Sequence, residues 1–290
     1  VSASATSTIR AIALAGAGAA GLAAGVAVAS NDIGDEIRAQ IVGSDVTSAG
    51  SEVRVIAGAT GNASSTAIGG AGAAGVAGGV SDSSNDISNH VDAVISGGAE
   101  VEGSGPVTVM ATNDISIDSL AGAAAGAGGA AASVAIADST VGGDIFARID
   151  GASVSSLGNG VFVTADSAAA IDTPAIGAAV AAGFGGAGSF SNGTVDSSIA
   201  AAIRNGADVS AATDVLVTAQ SGFDIDGDAG GLAGGVSRGC AAGLPDGLAP
   251  PTTASIEGFP LKSPHPHQVR TLTALTSLEI HGFAGQGGAF

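Results

Sequence analysis

Apolar and variable residues alternate in short segments along the chain, and one such pattern, Val-x-Val-x-Ala, occurs four times. The copies span residues 53–57, 107–111, 161–165 and 215–219, so each begins 54 residues after the one before. Alternation with a period of two places every second side chain on one face, which is typical of a half-buried strand. Each copy is therefore predicted to be a β-strand.

A second alternating pattern, Ile/Val-x-Ala-x-Ile, has the same spacing and spans residues 37–41, 91–95, 145–149 and 199–203. A turn-forming residue stands two positions after each copy: Gly43, Gly97, Gly151 and Asn205. These residues predict that the strand ends there. Shorter alternations, such as Val26-Ala-Val28 and Val134-Ala-Ile136, bring each unit to about five strand signals.

Evenly repeated short strands predict a solenoid, in which each unit buries its apolar face against its neighbours. The predicted fold class is all-β, a parallel β-helix (β-solenoid) of 54-residue repeats. Each repeat would form either three coils of about 18 residues or two of about 27. Residues 1–237 contain about four and a half units, and a further repeat starts within 269–290. Val1 falls inside a repeat motif, so we expect the sequence to be part of a longer polypeptide.

Each unit also contains a run of alanine and glycine with few large side chains. Residues 11–29 carry no charge, and this length is close to the ~20 residues of a membrane-spanning helix. The flanks lack a Lys/Arg bias and an aromatic belt, and the equivalent run at 68–80 is too short, so we expect no span. The alternative fold is an α/β solenoid with a short Ala/Gly-rich helix per repeat, although glycine costs ~1 kcal/mol per helical position. We expect extended coil instead, with Val134 and Ile136 as core residues.

The order of these patterns resembles the repeats of very large bacterial filamentous adhesins. Through most of the chain, Val-x-Val-x-Ala is followed by an Ala/Gly-rich run, a short Val-Ala segment, an acidic or Asn turn and Ile-x-Ala-x-Ile-x-Gly. Leukotoxin-type filamentous adhesins and filamentous-haemagglutinin-like exoproteins have repeats of this kind. The resemblance implies an exported β-solenoid stalk, secreted or displayed at the cell surface in association with the outer membrane. It implies no catalytic residues.

Composition excludes several functions. The chain has 8 Lys+Arg against 26 Asp+Glu, a formal net charge of −18, and nucleic-acid binding needs clustered basic side chains. It has 49 glycines and no Trp or Tyr, so any core must be thin. We find no serine nucleophile elbow, no phosphate-binding glycine loop with lysine and no cluster of acids and bases. We therefore expect no enzyme, no catalytic residues and no bound cofactor.

One segment is a candidate metal site. Asp224-Ile-Asp-Gly-Asp228 has closely spaced carboxylates and a turn glycine, which suit Ca²⁺. Asp224, Asp226 and Asp228 are the candidate ligands, although the terminal Glu of a complete calcium loop is missing. A solvated turn is the simpler interpretation. The pairs Asn31-Asp32 and Asn85-Asp86, 54 residues apart, are predicted to cap turns.

Residues 238–268 interrupt the repeat with a foreign composition that includes Cys240, Lys262, His265, His267 and six of the eight prolines. Prolines at this density would break a strand ladder. The pattern returns when residues 272–285 are aligned with 217–230, an offset of 55. Two compensating frameshifts or a true loop insertion would each produce this arrangement. We interpret the histidine pair as part of a loop.

Together these features predict a structural or adhesive repeat segment of a large exported bacterial surface protein, acting as a stalk or an interaction surface. Its expected partners are a host or surface receptor, or neighbouring adhesin segments. The alternative is a calcium-binding repeat module of a secreted protein.

Overall fold

The computed structural model describes residues 1–243, 252–256, 261–262, 270–272 and 280–281. None of these residues lies in a helix, so the described part of the chain contains no helix that could cross a membrane. The strands, in chain order, are β1 Ser2–Ala19, β2 Leu22–Ile33, β3 Glu36–Val42, β4 Asp45–Ser48, β5 Val53–Ala73, β6 Val76–Ser96, β7 Glu100–Gly103, β8 Val107–Ala127, β9 Ala130–Asp150, β10 Ser153–Ser156, β11 Val161–Asp172, β12 Ala175–Ala181, β13 Phe184–Arg204, β14 Asp208–Ala211, β15 Val215–Asp226, β16 Ala229–Gly234, β17 Ser237–Gly243, β18 Thr252–Ile256, β19 Leu261–Lys262, β20 Arg270–Leu272 and β21 Ile280–His281.

Each 54-residue unit forms one complete coil of a parallel β-solenoid. Val107 pairs with Val53 on one side and with Val161 on the other, so each residue lies beside its equivalent in the next unit. The second coil consists of two long strands, β5 and β6, and one short strand, β7. The prediction of an all-β solenoid is confirmed. The subdivision of the unit into two or three shorter coils is wrong, because the short strand signals are parts of strands of 21 residues.

Stacking of the coils produces three parallel sheets. The first sheet contains β1, β5, β8, β11 with β12, β15 with β16, and β20 and β21; the second contains β2 with β3, β6, β9, β13, β17 and β18; the third contains β4, β7, β10, β14 and β19. Strands of 21 residues are about 65 Å long, whereas neighbouring coils are only ~4.8 Å apart. The body is therefore wide across each coil and short along its axis.

Large side chains fill one half of each coil, which we call the Val/Ile half (residues 33–63, 87–117, 141–171 and 195–225). Both predicted motifs face its interior, where all three sheets surround one core. Val109 of the first sheet, Ile145 and Ile149 of the second and Val154 of the third are all buried in this core. The predicted strands and their inward faces are confirmed here.

The predicted turn residues close the Val/Ile half. All four have a positive φ, of 55° at Gly43, 68° at Gly97, 57° at Gly151 and 56° at Asn205. Gly and Asn are the residues that adopt this left-handed backbone most readily. The prediction that a turn follows each Ile/Val-x-Ala-x-Ile strand is therefore confirmed.

The rest of each coil is the Ala/Gly half (residues 11–29, 65–83, 119–137 and 173–191), in which the first and second sheets pack directly on each other. A Cβ atom built on Gly69 would lie 2.1 Å from the carbonyl oxygen of Val80, and one on Gly25 would lie 2.1 Å from that of Gly70. The sheets must therefore be closer than the ~10 Å usual for sheets with larger side chains. The Ala/Gly runs are extended strands, so the alternative fold with a helix in each repeat is wrong.

This close approach reverses the predicted burial of the larger residues in the Ala/Gly half. Ala27 and Ala135 are buried, whereas Val26 is 59% exposed and Ile136 is 37% exposed. Val134 is only partly buried. The prediction that Val134 and Ile136 form the core of this run is therefore wrong, because the space between the sheets is filled by small residues, mainly Ala, Gly and Ser.

Buried polar side chains lie where the two halves meet. Asn31 Nδ2 donates to Asn85 Oδ1 at 2.8 Å, and Asn85 Nδ2 donates to Ser65 Oγ at 2.8 Å. The hydroxyls of Ser65 and Ser83 are 2.6 Å apart across the sheets. Asn31 and Asn85 lie inside β2 and β6, so the prediction that they cap turns is wrong. Their amides link neighbouring coils instead.

The described parts of residues 238–268 continue the sheets with a changed register. Phe184 pairs with Ser237, an offset of 53, and Val209 pairs with Leu261, an offset of 52. Beyond the interruption, Ile225 pairs with Ile280 at the offset of 55 that the sequence alignment gives. His265 and His267, like the remainder of this segment, lie outside the described residues.

Candidate functional site: an acidic face on the first sheet

Aspartates occupy outward positions of the first sheet in the Val/Ile half and at its border with the Ala/Gly half. Because the inward positions of β8, β11 and β15 are filled by Val, Ile and Ala, the alternate residues face solvent. None of these three strands contains Lys, Arg or His. We call these aspartates the acidic face: Asp114, Asp118, Asp166, Asp172, Asp224, Asp226 and Asp228.

Three members of the acidic face form a column along the solenoid axis. Asp172 pairs directly with Asp118 in the preceding coil and with Asp226 in the following coil. Burial raises the pKa of Asp172, and the negative charges of Asp226, Asp118 and Asp228 raise this pKa further. In-register stacking therefore brings together carboxylates that repel one another.

A shallow groove of about 440 Å³ crosses the acidic face. Its lining includes Thr60, Thr112, Asp114 and Asp166, together with the small residues Gly58 and Ala168. Burial and the negative charge of Asp114 raise the pKa of Asp166, and a hydrogen bond from the backbone of Ser167 acts in the opposite direction. The groove thus offers hydroxyl and carboxylate groups, which bind cations or hydrogen-bond donors.

The predicted calcium ligands belong to this face. Asp224 and Asp226 lie two residues apart on β15, and Asp228 follows the strand; all three are exposed. Outward residues two apart on a strand are separated by about 7 Å, so the trio lies in a row. Within the described residues, no three His, Cys, Asp or Glu side chains are arranged to hold a metal ion. Calcium binding by this trio stays a prediction.

The spacing of three aspartates in the sequence is sufficient to predict the column. Asp118, Asp172 and Asp226 are separated by 54 residues, so once one coil per repeat is known, they must stack. Asp114 and Asp166 have no such signal, because they occupy different positions of the repeat. Only the folded coil shows that both line one groove.

The outer face of the second sheet differs from the acidic face, because some of its acids are paired with bases. Arg148 donates to Asp92 Oδ2 at 2.6 Å, and its guanidinium lies 5.1 Å from the centre of the Phe146 ring. Burial acts to raise the pKa of Asp150, but hydrogen bonds from Asn205 and Arg204 outweigh it and lower that pKa. Asp86 of the same sheet pairs with Asp32 in the preceding coil, and burial and the negative charges of Asp32 and Asp138 raise its pKa, so stacked carboxylates also occur on the second sheet.

Fold and surface together define a repeat protein of the parallel β-solenoid class, with an acidic outer face. Comparison with protein-family models, curated proteins and solved structures gives no significant match for this chain. What the chain binds must therefore be inferred from its own surfaces.

Proposed function

We propose that this chain is a structural or adhesive repeat segment of a large exported bacterial surface protein and acts as an interaction surface or stalk. The observation that carries the proposal is the stacking of the uninterrupted 54-residue units in register on one another. A side chain kept from unit to unit becomes a column that offers a partner the same group every ~4.8 Å. Solenoid proteins bind partners through extended surfaces of this kind.

The dimensions of the coil favour an interaction surface over reach. One unit of 54 residues adds only ~4.8 Å to the axis, whereas its long strands are about 65 Å wide. Roughly ten units would be needed for 50 Å of length. Each unit instead adds a strip to broad, flat faces. These faces are the part of the molecule that a receptor or a neighbouring segment would contact.

Surface display is tested by labelling cells that carry the gene. Antibodies raised against the purified chain are applied to intact and to permeabilised cells, with a cytoplasmic protein as the control for leakage. We expect intact cells to be labelled, and mild protease treatment of those cells to remove the label. Labelling that requires permeabilisation would contradict the proposal.

The column of Asp118, Asp172 and Asp226 supports a second candidate function, calcium binding, because a divalent cation would relieve the repulsion between stacked carboxylates. Thermal unfolding is measured with calcium chloride and with magnesium chloride at equal concentration. Calcium binding by the column predicts a calcium-specific rise in Tm that Asp172→Asn removes and Asp224→Asn leaves. A rise lost only in Asp224→Asn would instead locate the ion at the trio predicted from the sequence, and no calcium-specific rise would refute both.

A further inference from the structure

The outer surface of the Ala/Gly half on the first sheet is apolar, uncharged and exposed. Residues 12–18, 66–72, 120–126 and 174–180 include no charged side chain. Large apolar side chains nevertheless stand out from this surface: Ile12, Leu14, Ile68, Ile176 and Val180. Isolated exposed apolar residues are ordinary, whereas a contiguous patch marks an interaction site. We call this surface the apolar face.

Several outward glycines of the apolar face have no role in packing within the chain. A Cβ atom built on Gly16, Gly18, Gly72 or Gly126 would meet no atom within 4 Å, and none of the four has a positive φ. Glycine weakens a strand unless another backbone approaches it closely. These positions therefore leave room outside the fold for a second sheet, as inward glycines such as Gly69 do inside it.

We propose that the apolar face packs against the apolar face of a second copy of this chain. Leu14, Ile68 and Ile176 form a ridge along the axis, which Gly122 interrupts in the third coil. Beside this ridge runs a strip of small residues in four successive coils: Gly16, Gly70, Ala124 and Ala178. A twofold rotation places the ridge of each copy over the strip of the other, which is the self-complementary arrangement that a symmetric dimer requires.

The size of the face matches a weak dimer. Five strands of the first sheet, β1, β5, β8, β12 and β16, contribute to it. About 20 Å of each strand at ~4.8 Å spacing gives about 500 Å² per copy, or about 1,000 Å² in total. Specific interfaces start near this size, and each further repeat would add about 100 Å² per copy.

The distribution of charge also favours this partner. The acidic face lies in the Val/Ile half and at its border with the Ala/Gly half, so two copies that meet through their Ala/Gly halves keep most of their aspartates apart, Asp228 at the edge of the fifth coil being the exception. The net charge of −18 still opposes association at low ionic strength. Added salt screens this repulsion, and we therefore expect salt to strengthen the dimer.

Sedimentation velocity over about 5–500 µM protein tests the proposal. The test pair is Ile68→Lys with Ile176→Lys on the apolar face, and the matched control is Val76→Lys with Phe184→Lys on the second sheet of the same two coils. The four wild-type side chains are similarly exposed, at 43%, 56%, 47% and 51%, and both double variants add the same charge. Circular dichroism checks that each variant is folded.

We expect a reversible dimer that tightens in 0.5 M NaCl, that weakens at least tenfold in the Ile68/Ile176 variant, and that is kept in the control. A wild-type chain that stays monomeric at all concentrations would overturn the proposal, as would equal weakening in both variants. A chain that stays monomeric but floats with neutral phosphatidylcholine vesicles would show that the apolar face binds a lipid surface and not a second copy. Dimerisation of the purified chain does not depend on whether cells display it. Failure of this test therefore leaves the proposal of surface display intact, and failure of surface labelling leaves the dimer intact.

Discussion

The two halves of each coil share one ladder of parallel strands but are held together in different ways. In the Val/Ile half, three sheets surround side chains as large as Ile95, Ile145 and Ile149, which are completely buried. In the Ala/Gly half, two sheets approach until inward glycines face carbonyl oxygens of the opposite backbone. The Val/Ile half is therefore stabilised by large side chains that fill its core. The Ala/Gly half is stable only if its inward residues have small side chains or none.

The largest difference in stability between the halves is expected when isoleucines of β9 are replaced by alanine. Ile145 is completely buried, and Ile145→Ala should reduce the free energy of unfolding by about 2–5 kcal/mol, because it leaves a cavity among residues that cannot collapse into it. The control is Ile136→Ala on the same strand, where the side chain is outward in the Ala/Gly half and the loss should be within about 1 kcal/mol. Urea unfolding followed by circular dichroism measures both, and equal losses would contradict the division into halves.

The reverse experiment adds volume to β5. Gly69→Ala should destabilise the chain by about 1–3 kcal/mol or more, because the new Cβ overlaps the backbone of Val80 and the sheets must separate. Gly72→Ala, three residues further along the strand, adds the same methyl group into open space. It should be neutral or stabilising by up to about 1 kcal/mol. If Gly69→Ala were as harmless as Gly72→Ala, the close contact between the sheets would be wrong.

A smaller effect is expected at the turn that closes the Val/Ile half. Gly151 has a φ of 57°, and Gly151→Ala should cost about 1 kcal/mol because a Cβ disfavours the left-handed backbone. Gly151→Asn should cost less, since Asn205 occupies the equivalent position in the next unit with a φ of 56°. Urea midpoints that rank Ala above Asn in stability would contradict this account of the turn.

The smallest predicted effect is the response to pH. Burial is the main cause of the raised pKa values of Asp86, Asp166 and Asp172, whose ordinary value is 3.8. Their folded forms therefore favour protonation, and the stability they contribute is complete below 3.8 and is lost as the pH rises through the raised values. Asp150 has a lowered pKa, so the stability it contributes is complete above pH 3.8 and is lost as the pH falls below that value.

We therefore expect the urea midpoint to rise as the pH is lowered from 7 towards 4. Asp172→Asn should raise the midpoint at pH 7 and make the pH response smaller. The same response in the variant and in the wild-type chain would show that the column of stacked aspartates is not its source.

The sequence predicted the Val/Ile half well, because there most large inward residues are Val and Ile and most outward residues are polar or small. The 54-residue spacing was sufficient to predict a stacked repeat, and the residues Gly97 and Asn205 were sufficient to predict the turns. The Ala/Gly half could not be read in this way. Alanine occurs on both faces of its strands, and the larger residues, such as Val26, are outside. The hydrophobic alternation therefore fades or reverses where the sheets come closest.

The same gap led to the wrong number of coils. When the alternation fades, one strand of 21 residues such as β8 looks like two short strands separated by a loop. The acidic face was missed for a related reason. Asp118, Asp172 and Asp226 become neighbours only if one repeat is one coil, whereas the strand signals were interpreted as two or three coils per repeat.

Disulfide formation between engineered cysteine pairs tests the single coil most directly, in a chain whose natural thiol is removed by Cys240→Ser. Ser84 pairs with Asp138 across neighbouring coils, and a Cα separation of ~4.8 Å lies within disulfide range. Cysteines at 84 and 138 should therefore cross-link under mild oxidation. Residues 84 and 102 would be stacked in coils of about 18 residues, and residue 112 would be one position from the residue stacked on 84 in coils of about 27. Both pairs lie on different sheets here and should stay reduced. Rapid cross-linking of either of these pairs, with none between 84 and 138, would contradict one coil per repeat.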